Sequence, residues 1–473
     1  MREQSTPEWE ENSTYTGSWW APDCPELAFH GNLEFKGRKP ELRISADVFG
    51  QHRVVHGKSR VVHGKLETGE KLTLWDLSGH PLRSLYNGDN GTENVKTFTY
   101  AILGDHLAGP EETRLRYSAY RMRGLGTWAA IDAPIPYATP YEELPNYHPV
   151  VLSIPDDETD TEYLVEVRIE NPRRLEAEEG NSYGVISSFT GEDARIVFAC
   201  EPPAPARIHD LLLFDMQALL TFSYQGGAPI ESEWLALGNL DDQLNVMRED
   251  AFTGHPPTEH IFRDAMVLTT AALEPRELLP AWWRVVEELY PATQVITLYH
   301  HGPHGVLENS VSSVIAMLEN LHAKIGPTTT RFEQGFLRAQ AKPLKAALRS
   351  AFPGNEYARF REFMYEALQN DRPTLEIRLE ELVSAATPER LALMHIDPTQ
   401  WIEDVRLVRN PLAHTSSHVG RRGGGNSVVL RRVNAQSRAI ATMLVLGQMG
   451  LGSEALDIAA TALSRKLQHL QPQ

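Results

Sequence analysis

The sequence predicts an α+β protein. A β-rich half, an antiparallel sandwich or barrel-like module over residues 14–300, precedes an all-α helical bundle over residues 306–470. Three observations carry this reading. Before residue 300, short runs rich in Val, Ile, Tyr and Phe alternate with turn chemistry such as Asn87-Gly88-Asp89-Asn90-Gly91. After residue 305, apolar positions recur three and four apart. Between them stands His300-His301-Gly302-Pro303-His304-Gly305, a run of helix breakers that marks the domain boundary.

In chain order, strands are expected at Leu27–Phe35, Glu41–Val48, Arg53–Leu66, Lys71–Leu77, Val95–Leu103, Arg114–Met122, Val150–Ile154, Glu162–Ile169 and Ala194–Ala199. So many short strands suit antiparallel sheets. Two helical insertions are expected after the strands, at Ile208–Ser223 and Pro280–Tyr290. Arg53-Val-Val-His-Gly-Lys-Ser59 is followed by a second copy, Arg60-Val-Val-His-Gly-Lys65. A seven-residue shift flips a strand face, so the pair reads as a local duplication that extends a loop or hairpin.

Helices follow at Ser310–Lys324, Arg331–Phe352 (with a kink expected at Pro343), Glu356–Asn370 and Thr374–Ala386. Pro388–His395, Thr399–Arg409, Val433–Gly447 and Ser453–Leu470 complete the bundle. Its opening helix shows the pattern plainly in Val311, Val314, Ile315, Leu318, Leu321 and Ile325.

Composition narrows the function. A net charge of −18 argues against general nucleic-acid binding, which needs cations against phosphates. From Trp401 onward, however, nine Arg or Lys stand against four acids, so a basic surface is expected there. Two cysteines far apart build no disulfide framework, and no zinc-type CxxC occurs. The longest apolar runs, Leu211–Phe222 and Ala439–Leu451, are too short to span a bilayer. With a polar, acidic start, these features set the expectation of a cytoplasmic protein with no membrane partner. The clusters His300, His301, His304 and His414, His418 lack a companion carboxylate or Cys set, so no metal site is expected. Gly423-Gly424-Gly425 lacks Gly-Lys-Ser/Thr and reads as a loop, not a phosphate loop.

Arg409-Asn410-Pro411-Leu412-Ala413-His414 is the most informative run. It sets a guanidinium able to hold a phosphate beside an imidazole able to move protons near neutral pH. Chance supplies roughly one Arg-x4-His in such a chain, and a second copy, Arg390 to His395, is indeed present. Asn directly after the Arg singles out the 409–414 copy. Residues five apart on one helix diverge by about 140°. Asn410 before Pro411 therefore reads as a helix N-cap, with one helix ending near Arg409 and a short one beginning at Pro411. A phosphate over that helix start would meet both side chains. Spacing alone equally fits Arg409 paired with Glu403 or Asp404, and His414 as a surface histidine.

Arg409-Asn410 with His414 near the end of a helical bundle resembles the Arg-x4–6-His motif of HEPN domains. The opening helix, with Leu318-Glu319 and His322, is similar to the Leu-Glu-x-x-His start of the Apea-like HEPN subfamily. Gly17-Ser18-Trp19-Trp20 with Pro22, then Gly31 and Leu33, and later Leu72-Thr73-Leu74, resemble the N-terminal domain of the bacterial anti-phage ApeA family. The resemblance implies an anti-phage abortive-infection endoribonuclease that cleaves RNA by metal-independent 2′-OH transesterification when infection triggers it. It implies catalytic roles for Arg409, Asn410 and His414, with Glu319 and His322 as second-tier residues. Arg406, Arg421, Arg422, Arg431 and Arg432 supply the expected RNA-binding cations. The implied partners are RNA (tRNA among the candidates), a second copy in a homodimer or higher homo-oligomer, and a phage-derived trigger; no cofactor is implied. The competing reading is a non-catalytic HEPN dimerisation or nucleotide-binding module with a ligand-sensing β domain.

Overall fold

The computed structural model describes residues 13–45, 60–77, 83–86, 92–129, 149–170, 194–248, 263–300, 306–328, 330, 336–352, 356–358, 360–361, 373–413 and 424–468. The chain divides into two compact units, Met1–Trp283 with His300–Gly302 and Arg284–Tyr299 with Pro303–Gln473.

The first unit is built on strands β1 (Thr14–Trp20), β2 (Phe29–Lys36), β3 (Lys39–Ser45), β4 (Val61–Leu66), β5 (Lys71–Trp75), β6 (Arg83–Tyr86), β7 (Thr92–Thr97) and β8 (Tyr100–Leu103). It continues with β9 (Leu115–Met122), β10 (Val150–Asp156), β11 (Thr161–Glu170), β12 (Arg195–Ala204), β13 (Ile230–Ala236) and β14 (Leu244–Arg248). All fourteen join one sheet in the order β10-β11-β12-β9-β13-β14-β8-β5-β4-β1-β2-β3-β7-β6. The described pairings are antiparallel. β10 alternates buried and exposed residues, one face on the core and one on solvent. The sheet coils on itself, so that Met247 of β14 joins Trp19, Phe35, Leu42 and Leu74 in one core.

Four strands lie outside the sequence expectation: β1, β6, β13 and β14. The expected Val95–Leu103 strand is two, because β7 pairs with β3 and β6 whereas β8 pairs with β5 and β14. The second tandem copy lies within the expected Arg53–Leu66 strand and forms one arm of a hairpin. It forms β4, held between β1 and β5. The first copy, 53–59, lies outside the described residues. His63 of β4 stacks on His106, 4.7 Å between ring centroids, with the edge of Trp20 against both.

A short helix α1 (Leu125–Ala129) follows β9, and α2 (Ala206–Tyr224) lies between β12 and β13 rather than after the last strand. α2 is buried nearly all round, through Leu212, Leu213, Met216, Leu219, Leu220 and Phe222. It also buries Asp215, and that burial alone pushes the carboxyl up to about 7 from 3.8. The sign of the linkage follows. Between pH 3.8 and 7 the folded chain holds a proton that the unfolded chain has lost, so stability falls as pH rises through that window. Asp215→Asn keeps the shape and removes the ionisation. Its melting temperature relative to wild type is expected to rise between pH 4 and 7 and level off above. A pH-independent difference in thermal unfolding would refute this.

The second unit takes the end of α3 (Pro275–Glu288), which starts five residues before the expected Pro280. α4 (Ala292–Leu298), α5 (Leu307–Ile325), α6 (Phe336–Ala351), α7 (Leu375–Ala386) and α8 (Pro388–Leu393) follow. α9 (Pro398–Ala413), α10 (Gly424–Gln448) and α11 (Ser453–Gln468) complete it. Val311, Val314, Ile315, Leu318 and Leu321 of α5 are buried, the face that the periodicity marks. Thr374 caps α7 by accepting from Ile377 N at 3.3 Å. Pro343 lies within α6, and most of the expected Glu356–Asn370 helix falls outside the described residues.

Two local expectations fail. α10 begins at Gly424, inside the glycine run expected to be a loop. α9 runs unbroken through Asn410 and Pro411 to Ala413, so Asn410 is no N-cap and no new helix starts at Pro411. Packing explains the second failure. Trp401, Val405 and Val408 are buried along one face of α9 and fix its course. The hydrogen bond that Pro411 cannot donate is lost at the carbonyl of Leu407, on a face where that side chain is 66% exposed and the cost of an unmade bond is small.

Candidate functional site

Three helices of the second unit bring charge to one place. Glu319 of α5 accepts from Arg378 Nη1 of α7 at Oε2, 2.9 Å, and from Arg409 Nε of α9 at Oε1, 3.3 Å. One carboxylate therefore holds two guanidiniums, one from a residue 59 positions away and one from 90. Arg378 is 15% exposed and Arg409 41%, so the first pair is anchored and the second is open to solvent. An exposed ion pair is worth about 0–1 kcal/mol, so Arg409 exchanges Glu319 for another anion at small cost.

One helical turn on, His322 is buried and its Nε2 lies 2.6 Å from Glu381 Oε2 of α7. Thr328 donates to the same carboxylate through its hydroxyl and, at 3.4 Å, its backbone N–H. Burial pushes the Glu381 carboxyl up, but the bonds from Thr328 and His322 outweigh it and its pKa lies below the ordinary value. Gly326 closes α5 against the ring. A Cβ there would stand 2.5 Å from His322 Nε2, so only glycine lets the chain pass. Glu319, Asn320, His322, Ala323, Thr328, Pro373 and Arg378 line a cavity of about 450 Å³. That volume is in the range of small-molecule pockets.

The structure unites Arg409 with Glu319 and places His322 on the cavity wall. Arg409 pairs with neither Glu403 nor Asp404 in this pair. Asp404 is buried and takes Arg432 Nη2 at 2.6 Å and Gln400 Nε2 at 3.0 Å. Arg432 is thus tied into the bundle, and Arg406 meets Glu376 at 2.8 Å. Arg431 is exposed. His414, Arg421 and Arg422 lie outside the described residues, as does the Asn410 side chain. The Arg390 of the second Arg-x4-His copy bonds Asp457 and Ser453, each at 2.9 Å, which joins α8 to α11. Sequence reasoning missed Arg378, Glu381 and Thr328. Arg378 and Glu381 sit in a run of charged residues, Glu376, Arg378, Glu380 and Glu381, and no local spacing links them to α5.

Among the described residues no group of three His, Cys, Asp or Glu could hold a metal ion, and no helix is long and apolar enough to cross a membrane. The fold and the site define a two-unit α+β protein, a coiled antiparallel sheet followed by a helical bundle that carries a charged cavity. Residues 14–269 match the family described as ApeA N-terminal domain 1, and the chain belongs to that family. It is a family of anti-phage defence. No curated protein and no solved structure matches the chain.

Proposed function

We propose that the chain is a defence effector whose helical unit is a HEPN endoribonuclease, cutting RNA by 2′-OH transesterification without a metal. The single observation behind this reading is the Arg409–Glu319 pair. It joins the two stretches that resemble HEPN signatures, 90 residues apart, beside a cavity.

In this reading Arg409 holds the scissile phosphate and offsets the charge that builds on its oxygens. His414 takes the proton of the ribose 2′-OH, and the 2′-oxygen attacks phosphorus. The bond from phosphorus to the 5′-oxygen breaks, and that oxygen receives a proton from an imidazole, of the same chain or of a second copy. The products are a 2′,3′-cyclic phosphate and a 5′-hydroxyl end. Because α9 continues to Ala413, the Asn410 cap and the helix start at Pro411 have no part in holding the phosphate. Glu319 orients Arg409, and His322 with Glu381 stiffens the cavity wall.

Induction of wild type in a phage-challenged host is expected to fragment RNA with those end groups, in the presence of chelator as well. The Arg409→Ala/His414→Ala double variant is expected to lose at least about a thousandfold in cleavage. Cleavage unchanged in the double variant would refute the reading. The cavity itself favours a second reading, a ligand-binding module without catalysis. That reading predicts no RNA ends from wild type and full phage protection by the His414→Ala single variant.

A further inference from the structure

Helix α6 is unlike the rest of the chain in charge. Its sixteen residues hold Arg338, Lys342, Lys345 and Arg349 and not one acid, in a chain of net charge −18. Positions 338, 342, 345 and 349 follow the spacing i, i+4, i+7, i+11. At about 100° per residue they fall within roughly 60° of one another, in a stripe about 16 Å long. Lys342, Lys345 and Arg349 are exposed. The helix therefore carries a cationic ridge that nothing in the site above uses.

The neighbouring arc holds Leu337, Ala341, Leu344 and Leu348, again at i, i+4, i+7, i+11. Two classes of partner suit a basic amphipathic helix, an anionic membrane surface and a nucleic-acid backbone. Burial separates them. Ala341 and Leu348 are half-buried while the positions around them are exposed, and Leu344 is 36% exposed. The apolar arc is thus partly covered at Ala341 and Leu348, where a bilayer would need it free. Aromatic rings flank the ridge at its C-terminal end. The Arg349 guanidinium lies 5.8 Å from the Tyr357 ring centroid, and Phe360, 41% exposed, stacks on Phe352 at 4.4 Å. Cations in a row beside aromatic rings are what single-stranded nucleic acid binds.

We infer that the α6 ridge is a binding surface for the backbone of single-stranded RNA. The inference rests on the nuclease reading for its choice of RNA as substrate. It also relocates the contact. Two of the cations that the sequence assigned to RNA, Arg406 and Arg432, are paired with Glu376 and Asp404, whereas α6 has no acid of its own.

The test uses the full chain and an oligouridylate of about 20 nucleotides with 2′-O-methyl sugars, which lack the nucleophile and report binding alone. Wild type is compared with Arg338→Gln/Lys342→Gln/Lys345→Gln/Arg349→Gln across a salt series, with circular dichroism as the fold control. The quadruple variant is expected to bind about tenfold or more weakly near 0.1 M salt. Its slope of log affinity against log salt is expected to be shallower by about 3 units, at about 0.7 per phosphate contact. Equal affinity and slope would overturn the ridge, even where wild type cuts RNA and the nuclease reading stands. Wild type that binds vesicles of 30% phosphatidylserine in place of the oligonucleotide overturns it in favour of a membrane. Should the Arg409→Ala/His414→Ala variant cut RNA at the wild-type rate while the ridge variant still loses affinity, the nuclease assignment fails and the ridge holds.

Discussion

Glu319→Gln is expected to lower the RNA-cutting rate about a hundredfold while leaving the bundle folded. Glu319 bonds one oxygen to each of two arginines, and a carboxamide can accept at one of those positions only. Arg378, at 15% exposure, has the greater need of an acceptor and keeps it. Arg409, more open and held at 3.3 Å, loses its anchor and swings away. A misplacement of about 1 Å in a phosphate-holding group costs on the order of a hundredfold in rate. Glu319 is a positioning residue in this account, so kcat should fall with KM nearly unchanged. Glu319→Asp, which restores charge at a shorter reach, should recover part of the rate. Glu319→Ala goes further, since it leaves Arg378 mostly buried with no carboxylate, and should cost about 2 kcal/mol of stability as well. A merely structural role would show itself otherwise. The yield of folded Glu319→Gln would fall, and kcat per folded molecule would match wild type.

The site was legible in the sequence only as far as local chemistry reaches. Arg409 stands out because a guanidinium, an amide and an imidazole fall within six residues. Glu319 and His322 stand out one turn apart on a strongly periodic helix. Arg378 was hidden, because its role depends on how α7 crosses α5, which no spacing within α7 records. The Asn410-Pro411 cap signal was clear and yet lost to tertiary packing. Trp401, donating to Ser437 at 3.0 Å from a fully buried position, fixes α9 more firmly than a cap of about 1 kcal/mol can redirect it. The sheet tells the same story. β11 and β12 announce themselves by their valines and isoleucines. β13 does not, because its inward Glu233 breaks the alternation. That carboxylate is buried only because Arg248 of β14 meets it at 2.8 Å. Burial pushes Glu233 up despite the guanidinium, which marks how far this strand's pattern depends on a partner 15 residues away.

The tandem copy supplies the largest expected effect on stability. Gly64→Val is expected to destabilise the first unit by about 3 kcal/mol or more, lowering its melting temperature by roughly 6–12 °C. Trp19 of β1 is fully buried, and its Nε1 donates to the Gly31 carbonyl at 3.0 Å. The indole is thereby fixed against β4. A Cβ on Gly64 would lie 2.5 Å from its Cζ3 and 2.6 Å from its Cε3, well inside van der Waals contact. Neither partner can yield. β4 is held on both sides, by β1 and β5, and the indole is locked by its hydrogen bond. This is why the second copy of the repeated heptad is a strand of the sheet interior: its glycine is the floor on which the Trp19 core rests. A double-mutant cycle with Trp19→Phe isolates the cause. The smaller ring leaves room for the new side chain, so Gly64→Val should cost markedly less in that background. An equal cost in both backgrounds would locate the damage in the backbone of β4 and remove Trp19 from the explanation.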